Sequence, residues 1–430
     1  MKTPLYIVAG ARTPFCKMGT ELASSDAVEL GRTAVAAVLA NTGIDPALIN
    51  EVIFGCVGQP LDAANVSRVI ALRAGIPSQV TAITVHRNCA SGFEAITQAA
   101  EKIAAGRGDI FLVGGAESMS NYPLIYNASA VRKFSVLSRA KSLPQKLSAF
   151  LRFRPADFSP QISLMLGLTD PVCGLNMGQT AELLARDWRL SREQQDQFAL
   201  RSHLNAGAAR ERHAAEITPV YPRNSRAPTP AAITQDNGVR ASQTIEALQK
   251  LRPLFDRLGG TVTAGNASQV TDGACALLVM SEAGLKRTGL TPIGRLIDYA
   301  YAGCEPARMG LGPLYAIAKA EERSGLTMAD ADLIEINEAF AAQVLACQAG
   351  AKSADYARAH LGRDTALGEI PDAKLNVNGG GIALGHPVGS TGARLVLTSL
   401  LELQRRKARR ALVSLCIGGG QGGALWLEAA

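Results

Sequence analysis

The sequence lacks any pair of cysteines in the C-x-x-C spacing that zinc ribbons and thiol redox motifs use. Its eight cysteines are instead dispersed along 430 residues, which gives no framework of disulfides or metal ligands. Dispersed free cysteines are typical of a reducing compartment. We therefore expect no metal site and a cytoplasmic location. The cysteines are Cys16, Cys56, Cys89, Cys173, Cys275, Cys304, Cys347 and Cys416.

Signals for export or membrane insertion are also missing. The chain starts with a short strand-like segment, LYIVAG, and shows no apolar core of a signal peptide. The apolar residues 411–430 are broken by five glycines and carry Glu428. We interpret them as a buried strand and turn, because a membrane span needs a longer uninterrupted apolar run.

Aromatic residues make up only 5% of the chain and charged residues 19%, whereas hydrophobic residues make up 47%. This composition excludes a disordered chain and supports a large buried core. The 42 glycines and the abundant alanines favour helices packed closely on sheets over a β-sandwich. A chain of 430 residues is long enough for two or three domains.

Acidic residues are absent from residues 122–156, although this segment holds seven basic side chains. The net charge is +7, and the remainder of the chain is close to neutral. No nucleic-acid-binding motif accompanies the segment, so we expect no nucleic acid partner. The basic residues are Arg132, Lys133, Arg139, Lys141, Lys146, Arg152 and Arg154.

Two distant stretches share one pattern, in which a strand, a turn of small residues and a helix lead into an apolar strand. The first stretch runs from the β-branched segment 80–85 to the apolar strand 110–115. The second runs from 374–381 through a glycine-rich turn around His386 to the strand 411–420. The repeat predicts two similar β-α-β halves with right-handed crossovers.

Residues 122–258 differ from both halves, with proline, serine and arginine in loops and helical patterns at 181–188 and 191–212. We interpret them as an inserted loop domain, a lid that shapes a binding site at the edge of the sheet. The predicted N-terminal half then comprises residues 1–121 and 259–283, and the predicted C-terminal half comprises residues 284–430.

Cys89 lies where a strand gives way to a helix, beside Ala90, Ser91 and Gly92. A thiol at a helix N-terminus feels the positive end of the helix dipole, so we expect its pKa to fall below about 8.5. The alternative is a small buried hydrophobic residue, which is the usual state of a free cysteine. From its position alone, Cys89 is equally well interpreted as a nucleophile or as a thiol in the core.

His386 lies between Gly385 and Pro387 in a glycine-rich segment. Such a backbone can approach a ligand closely, so His386 is either a turn residue or a base on a rigid loop. The duplication favours the base, because symmetric halves bring both turns to one central crevice. Of the other histidines, His203, His213 and His360 are expected at the surface, and His86 is expected to be structural.

Cys416 ends the last apolar strand, and Gly418 follows it closely. The N–H of Gly418 can point at a ligand, as an oxyanion site requires, although a core cysteine at 416 is an equal alternative. Asn337 follows the apolar run 333–336, at a sheet end where open α/β folds bind ligands. It is a candidate for holding a water, with a helix N-cap as the alternative.

Together, these features resemble the thiolase family over nearly the whole chain. Several glycine-rich blocks in a fixed order are a specific signal. The resemblance implies an α/β protein with the duplicated five-layer α-β-α-β-α thiolase fold and an inserted loop domain. The blocks are RTPF (12–15), GGAESMS (114–120), NMGQTAE (176–182), TAGNASQVTDGA (263–274), NEAFAAQ (337–343), GGGIALGHPVGSTG (379–392) and CIGGGQGGA (416–424).

The resemblance also implies catalytic roles. In this family the nucleophile matches Cys89, the base matches His386, and the residue that moves the α-carbon proton matches Cys416. One oxyanion site is implied by His386 with a water held by Asn337, and another by the N–H groups of Cys89 and Gly418. The implied reaction is ping-pong acyl transfer between 3-ketoacyl-CoA, CoA and acetyl-CoA. CoA and acyl-CoA are substrates, and no cofactor is needed.

The implied CoA contacts are four. Ser268 and Arg240 match family positions near the pantetheine and adenine ends, whereas Met309 and Phe340 match positions in the acyl and pantetheine region. Asn176 departs from many short-chain members, which have histidine there, and leaves that side of the pantetheine pocket undefined. By resemblance, we also expect a homodimer or a homotetramer.

The basic segment 122–156 and its continuation are longer than in the simplest members and look like the β-subunits of fatty-acid oxidation complexes. Its mixture of apolar and basic residues fits an anionic membrane surface or a partner subunit. A solvated loop whose positive field attracts CoA phosphates is the third interpretation.

The main functional prediction is a degradative 3-ketoacyl-CoA thiolase of fatty-acid β-oxidation, an acetyl-CoA C-acyltransferase. The alternative is an acetyl-CoA C-acetyltransferase that makes acetoacetyl-CoA. A non-catalytic thiolase-like lipid carrier is disfavoured, because Cys89, His386, Cys416 and Asn337 are all present. A ketoacyl synthase or a thioester hydrolase is disfavoured by Cys416. Acyl chain length and physiological direction are left undecided.

Overall fold

The computed structural model describes residues 3–222 and 231–430, which form twelve strands and sixteen helices joined by loops and short 3₁₀ and π turns. The strands are β1 (Leu5–Arg12), β2 (Cys16–Lys17), β3 (Glu51–Gly55), β4 (Thr81–Val85), β5 (Ile110–Ser118), β6 (Leu124–Ile125), β7 (Gln161–Ile162), β8 (Thr271–Met280), β9 (Gly294–Gly303), β10 (Leu333–Ile336), β11 (Arg410–Ile417) and β12 (Gln421–Ala429). The helices are α1 (Ala27–Thr42), α2 (Val66–Arg73), α3 (Ser91–Ala104), α4 (Ala128–Arg139), α5 (Leu143–Phe150), α6 (Ser163–Gly167), α7 (Met177–Asp187), α8 (Arg192–Ala208), α9 (Arg210–Ala214), α10 (Ile245–Gln249), α11 (Glu282–Thr288), α12 (Gly312–Ser324), α13 (Ala341–Lys352), α14 (Ala354–Tyr356), α15 (Gly381–Leu384) and α16 (Thr391–Arg406).

The large sheet repeats one topology twice. In its N-terminal part, β1, β8 and β5 are antiparallel neighbours, and β3 and β4 continue in parallel. In its C-terminal part, β9, β12 and β11 are antiparallel neighbours, and β10 continues in parallel. The two parts join through only three residue pairs between β1 and β9. The predicted duplication is therefore confirmed.

Five layers follow from this arrangement. Helices α3 and α16 share one core with the inner faces of both parts of the sheet. Helices α1 and α2 cover the outer face of the N-terminal part, and α12 and α13 cover the outer face of the C-terminal part. Strands β5, β8 and β11 are buried along almost their whole length, because helices cover both of their faces.

The central layer consists of α3 and α16, and the apolar residues of these helices explain why it forms. Helix α3 buries Phe93, Ile96, Ala99 and Ile103, which lie at the spacing of one helix face. Helix α16 is buried along most of its length, because it packs between the two parts of the large sheet. Both helices begin directly after the turns that carry the predicted catalytic residues.

Residues 374–381, which we predicted as a strand, are not a strand. Leu375 forms a single parallel bridge to Ile334, and then Asn376 and Gly379 adopt left-handed backbone with φ of 48° and 77°. Left-handed residues end an extended segment. The Asn376 side chain takes over the pairing, since its amide bonds both the N–H and the carbonyl of Ile336 at 2.9 Å.

Two histidines that we predicted at the surface are buried. The His213 ring bonds the Glu216 carboxylate at 3.0 Å and the Asn378 carbonyl at 2.9 Å. The His203 ring accepts the N–H of Arg240 at 3.2 Å. Arg240 lies far from His203 in the sequence, and Asn378 lies far from His213, so a mixed-charge helical pattern does not reveal the burial.

The other predicted elements are confirmed with small changes. The patterns at 181–188 and 191–212 correspond to α7 and to α8 followed by α9. The C-terminal residues form the buried hairpin of β11 and β12. The predicted loop domain, residues 122–258, contains α4 to α10 outside residues 223–230, which lie beyond the described residues, and its boundaries stay a prediction. No helix in residues 3–222 or 231–430 is long and apolar enough to cross a membrane.

A close approach between two backbone segments tests this packing. A Cβ added at Gly115 on β5 would lie 1.9 Å from the carbonyl oxygen of Gly389, in the loop that carries His386. We expect Gly115→Ala to lower the free energy of unfolding by about 3 kcal/mol or more, because backbone on both sides cannot yield cheaply. Urea unfolding followed by fluorescence measures the change.

The matched control is Gly259→Ala, where an added Cβ meets no atom within 4 Å. This variant should unfold at the urea concentration of the wild type. A Gly115→Ala protein that unfolds together with its control would contradict the close contact between β5 and the His386 loop.

Candidate active site

Cys89 occupies the tight turn between β4 and α3. Asn88, just before it, has a φ of 45°, and the Ala90 N–H donates to the Arg87 carbonyl at 2.9 Å. The Ser91 hydroxyl accepts the Arg87 N–H at 2.9 Å and donates to the Asn88 carbonyl at 2.7 Å. These bonds within the turn fix the backbone that presents the Cys89 thiol.

A second turn, after β11, meets the Cys89 turn directly. The Asn88 side-chain amide donates to the Gly418 carbonyl at 2.8 Å. The N–H groups of Gly418 and of Cys89 itself act on the Cys89 sulfur and stabilise its thiolate form. Two backbone donors from opposite halves of the chain therefore converge on one sulfur atom, which is the arrangement of an oxyanion site.

The pKa of Cys89 shows which protonation state these donors face. Burial raises the pKa above 9.0, and the Gly418 and Cys89 N–H groups only partly oppose this effect. Our prediction of a lowered pKa is therefore wrong. Ala90, not Cys89, is the N-cap of α3, and loss of water around the sulfur outweighs the nearby N–H groups. Cys89 is therefore a thiol at rest, and it would need a base to act as a nucleophile.

His386 is buried, with 6% of its surface exposed, and both ring nitrogens have partners. Nδ1 lies 2.7 Å from the Thr391 hydroxyl, and Nε2 lies 3.4 Å from the Asn337 side-chain nitrogen. The same hydroxyl lies 3.1 Å from the Pro387 carbonyl, which can only accept. The Thr391 proton is therefore assigned to that carbonyl, Nδ1–H donates to Thr391, and Nε2 carries the lone pair.

Burial lowers the pKa of His386 to about 3, and the positive charge of Arg394 acts in the same direction. The imidazole is therefore neutral and able to accept a proton at physiological pH. Its loop reaches the nucleophile, because Val388 packs in one apolar cluster with Cys89. A neutral base beside a neutral thiol suits proton transfer during the reaction rather than a preformed ion pair.

Cys416 lies at the end of β11 with 1% of its surface exposed. Burial raises the pKa of its thiol well above 9.0, and negative charge on Cys89 raises it further. Cys416 packs in a cluster with Met309 and Phe340, and Met177 packs against this cluster. Met177 also lines the cavity beside Cys89, so this residue links the Cys416 cluster to that cavity, although Cys416 itself does not line it.

Asn337 directly follows β10 and is completely buried. Its N–H donates to the Ser414 carbonyl at 2.9 Å, and its side-chain nitrogen faces His386. The Asn337 Oδ1 atom makes no hydrogen bond within the described residues. The alternative role as a helix N-cap is wrong, because α13 begins only at Ala341 with Phe340 as its N-cap.

A cavity of about 390 Å³ opens beside Cys89. Its polar lining comprises the Cys89 turn with Asn88, the backbone of Gly418 and Gly419, and the side chains of Thr169 and Asp170, whereas apolar side chains form most of its walls. A narrow apolar cavity with a few converging polar groups is the usual form of a small-molecule site. The apolar wall residues are Val57, Met119, Tyr122, Leu164, Leu166, Leu168, Met177 and Val388.

The four predicted CoA contacts fall into two places. Ser268 donates its N–H to the Ala339 carbonyl at 2.8 Å, beside Phe340 and Met309 in the cluster that contains Cys416. Arg240 does not line the cavity beside Cys89. It is exposed and lies near His203, whose pKa falls to about 4 because of burial and of this positive charge.

Sequence reasoning missed two residues that support the site. Thr391 holds His386, and Glu117 is a completely buried carboxylate that joins two loops. Glu117 accepts the N–H groups of Val57 at 3.0 Å, Gly58 at 2.8 Å and Gly389 at 2.9 Å. The signal for Glu117 was its charge within β5, a strand that is otherwise buried and largely apolar.

The fold agrees with the comparisons to known proteins. Residues 5–283 match the family described as thiolase, N-terminal domain, and residues 290–429 match the thiolase C-terminal domain. The chain belongs to the thiolase family.

Two curated relatives carry the name 3-ketoacyl-CoA thiolase. The protein from Yersinia pestis (strain Pestoides F) is 42% identical over 99% of this chain and 96% of its own length. The protein from Klebsiella pneumoniae (strain 342) is 41% identical over 99% of this chain and 97% of its own length.

Solved structures give the same result. The acetyl-CoA acetyltransferase of Bacillus anthracis superposes with a TM-score of 0.86 at 36% identity, covering 100% of this chain and 99% of that one. Human mitochondrial 3-ketoacyl-CoA thiolase in complex with CoA superposes with a TM-score of 0.84 at 35% identity, covering 100% and 98%. The predicted thiolase fold is therefore confirmed.

The assigned tautomer of His386 can be measured directly. We expect the Nδ1–H form in the wild type and in Thr391→Ser, because both side chains offer a hydroxyl acceptor. In Thr391→Val the Nδ1–H loses this acceptor, and the Nε2–H form should appear. Two-bond ¹H–¹⁵N correlation spectra of histidine-labelled protein separate the tautomers, and only five histidines contribute. A wild-type His386 protonated on Nε2 would contradict the assignment.

The raised pKa of Cys89 predicts how the free thiol reacts. Iodoacetamide attacks the thiolate, and a pKa above 9.0 keeps its fraction small and rising throughout the neutral range. The alkylation rate of the Cys89 peptide, followed by mass spectrometry, should therefore climb continuously from pH 6 to pH 9. A plateau below pH 8 would indicate a preformed thiolate. It would contradict a resting state in which Cys89 and His386 are both neutral.

Proposed function

We propose that this thiolase cleaves 3-ketoacyl-CoA with CoA and releases acetyl-CoA and a shortened acyl-CoA. The observation that carries the proposal is the convergence at one apolar cavity of the partly buried Cys89 thiol and two backbone donors. A neutral buried imidazole two residues before the lining residue Val388, and a buried thiol in the cluster that Met177 packs against, support it. These are the groups that carbon–carbon cleavage beside a thioester needs.

In the first half-reaction, His386 Nε2 accepts the Cys89 proton while the sulfur attacks the 3-keto carbon. The alkoxide that forms is stabilised by the N–H groups of Cys89 and Gly418. Collapse of this intermediate breaks the bond between the second and third carbons. The acyl group stays on Cys89, and the two-carbon fragment leaves as the enolate of acetyl-CoA.

The enolate needs both a charge partner and a proton. Asn337 has a buried side-chain oxygen that makes no hydrogen bond within the described residues, which suits a water shared with His386 at the enolate oxygen. The raised pKa of Cys416 keeps its thiol protonated, so it can donate to the α-carbon. Acetyl-CoA then leaves.

In the second half-reaction, the Cys416 thiolate takes the proton of the incoming CoA thiol. The CoA sulfur attacks the acyl group on Cys89, and the same two N–H groups stabilise the oxyanion. The Cys89 sulfur leaves and recovers its proton from His386. Both cysteines and the histidine return to their starting states, and the kinetics are ping-pong.

The substrate class follows from the apolar walls of the cavity. They offer hydrophobic contact to an acyl chain longer than two carbons, which favours degradative thiolysis in fatty-acid β-oxidation over formation of acetoacetyl-CoA. CoA and acyl-CoA are then the partners, with Ser268, Met309, Phe340 and Arg240 as the proposed contacts. A homodimer or homotetramer, and a partner subunit at residues 122–156, remain predictions from the resemblance, and a cytoplasmic location remains a prediction from the cysteine pattern.

A thiolysis assay over acyl chain lengths tests this proposal. Cys89→Ala should lose at least about a thousandfold in kcat/KM, because no acyl-enzyme forms. Cys416→Ser should lose about a hundredfold or more, because a hydroxyl transfers the α-proton poorly. The matched control, Cys173→Ser, changes another partly buried cysteine and should keep wild-type rates at each length.

Two results would overturn parts of the proposal. Full activity of Cys89→Ala would remove the covalent mechanism. Wild-type activity confined to acetoacetyl-CoA would keep the mechanism and would replace the degradative function with the acetyltransferase alternative.

A further inference from the structure

One wall of the cavity beside Cys89 is held rigidly. Among the described residues that line this cavity, Tyr122 is the one aromatic side chain. Its hydroxyl donates to Oε1 of the buried Glu117 at 3.0 Å. Its ring lies against Gly58, where an added Cβ would be 1.9 Å from the ring carbon Cε1. The ring therefore cannot turn away without losing its bond to a buried carboxylate and its contact with Gly58.

The turn that carries Tyr122 is also held through its main chain. The Ser120 N–H donates to the carboxylate of Asp272, on β8, at 2.8 Å. The Asn121 side-chain amide donates to the Ala23 carbonyl at 3.1 Å. These bonds attach the turn to β8 and to the segment before α1, so Tyr122 is fixed at its backbone as well as at its hydroxyl.

Glu117 connects this wall to the loop of the proposed base. Its Oε1 accepts the Gly58 N–H at 2.8 Å together with the Tyr122 hydroxyl. Its Oε2 accepts the N–H groups of Val57 at 3.0 Å and Gly389 at 2.9 Å. Burial raises the pKa of Glu117, but these four donors oppose that effect, and they match the four lone pairs of an ionised carboxylate. One carboxylate therefore fixes the Tyr122 ring relative to the loop before α16.

The other apolar walls of the cavity are more adaptable. They consist mostly of leucine and methionine side chains. Met119 and Met177 are unbranched, and methionine adapts its shape to its neighbours. Leu166 is 48% exposed, so it has room to change its rotamer. An acyl chain can move such side chains aside, whereas the Tyr122 ring resists displacement.

We propose that Tyr122 is a specificity-determining residue, which limits the length of the acyl chain, and that Glu117 is the positioning residue that fixes it. This step rests on the proposed function, in which the acyl chain on Cys89 occupies the cavity of about 390 Å³. A chain that ends before the ring keeps its apolar contacts with the other walls. A longer chain has to displace the ring, and the lost bond to Glu117 weakens its binding.

The substitution Glu117→Gln separates the two connections of this carboxylate. A glutamine side chain has one acceptor oxygen, and its NH₂ group cannot accept a donated N–H. We expect the amide oxygen at the position of Oε2, because two backbone N–H groups converge there. The NH₂ group then faces the Gly58 N–H, and the Tyr122 hydroxyl loses its acceptor. The loop before α16 keeps its bond, whereas the Tyr122 wall is loosened.

Alkylation of Cys89 tests this limit on chain length without relying on thiolysis. The probes are N-hexyl iodoacetamide and N-dodecyl iodoacetamide, and peptide mass spectrometry of the full-length protein gives both rates. The ratio of the dodecyl rate to the hexyl rate should rise about tenfold or more in Tyr122→Ala, because the rigid wall is removed. It should rise about threefold in Tyr122→Phe and in Glu117→Gln, because the ring stays but loses its hydrogen bond.

The matched control is Tyr221→Ala, since Tyr221 is 64% exposed and does not line the cavity. Its ratio should equal the wild-type ratio. An unchanged ratio in Tyr122→Ala would overturn the proposal, as would an equal rise of both rates, which would indicate only a more exposed thiol. Tyr122→Phe keeps the role of Glu117 testable if Glu117→Gln does not fold. An unchanged ratio in Tyr122→Phe would remove that role.

Thiolysis kinetics separate this proposal from the proposed function. Tyr122→Ala should lower the KM for 3-ketohexadecanoyl-CoA relative to the KM for 3-ketohexanoyl-CoA, because the ring contacts the chain and not the reacting atoms. A change confined to kcat would overturn the specificity role. A wild type that lacks thiolysis at every chain length, while its variants show the expected alkylation ratios, would overturn the proposed function and leave Tyr122 as the limit of the cavity.

Discussion

Cys416 and His386 are buried and Cys89 is partly buried at the junction of the two halves, and the protonation state of each group depends on this burial. Burial raises the pKa values of Cys89 and Cys416 and lowers that of His386. All three groups are therefore neutral at rest, and charge arises only during reaction. In such a poorly solvated site, backbone N–H groups stabilise an oxyanion more strongly than they would in water.

The duplication explains how one chain builds this junction. The turn before α3 comes from the N-terminal half, and the turns around His386 and Gly418 come from the C-terminal half. Asn88 ties the first turn to Gly418, and Glu117 ties the His386 loop to the loop after β3. Each half contributes its own layers of sheet and helix, whereas the candidate site lies where the two halves meet.

Much of this was predictable from sequence, for a physical reason. Strands buried on both faces are continuous apolar runs, and the helices after them show one apolar face, so β5, β11 and α3 follow from local pattern. The turn residues at 88–92 and 385–389 are recognisable by their small side chains. Contacts between distant segments produce no comparable pattern in the sequence. The burial of His203 and His213, the loss of the strand at 374–381 and the raised pKa of Cys89 all depend on them.

The central claim is that Cys89 carries the acyl group while Cys416 only moves a proton. The most direct measurement is peptide mass spectrometry of the enzyme after brief reaction with acetyl-CoA and quenching in acid. We predict one acetyl group on the peptide that contains Cys89 and none on the peptide that contains Cys416. An acetyl group on Cys416, or an enzyme that forms no acyl-cysteine while it turns over substrate, would contradict the account.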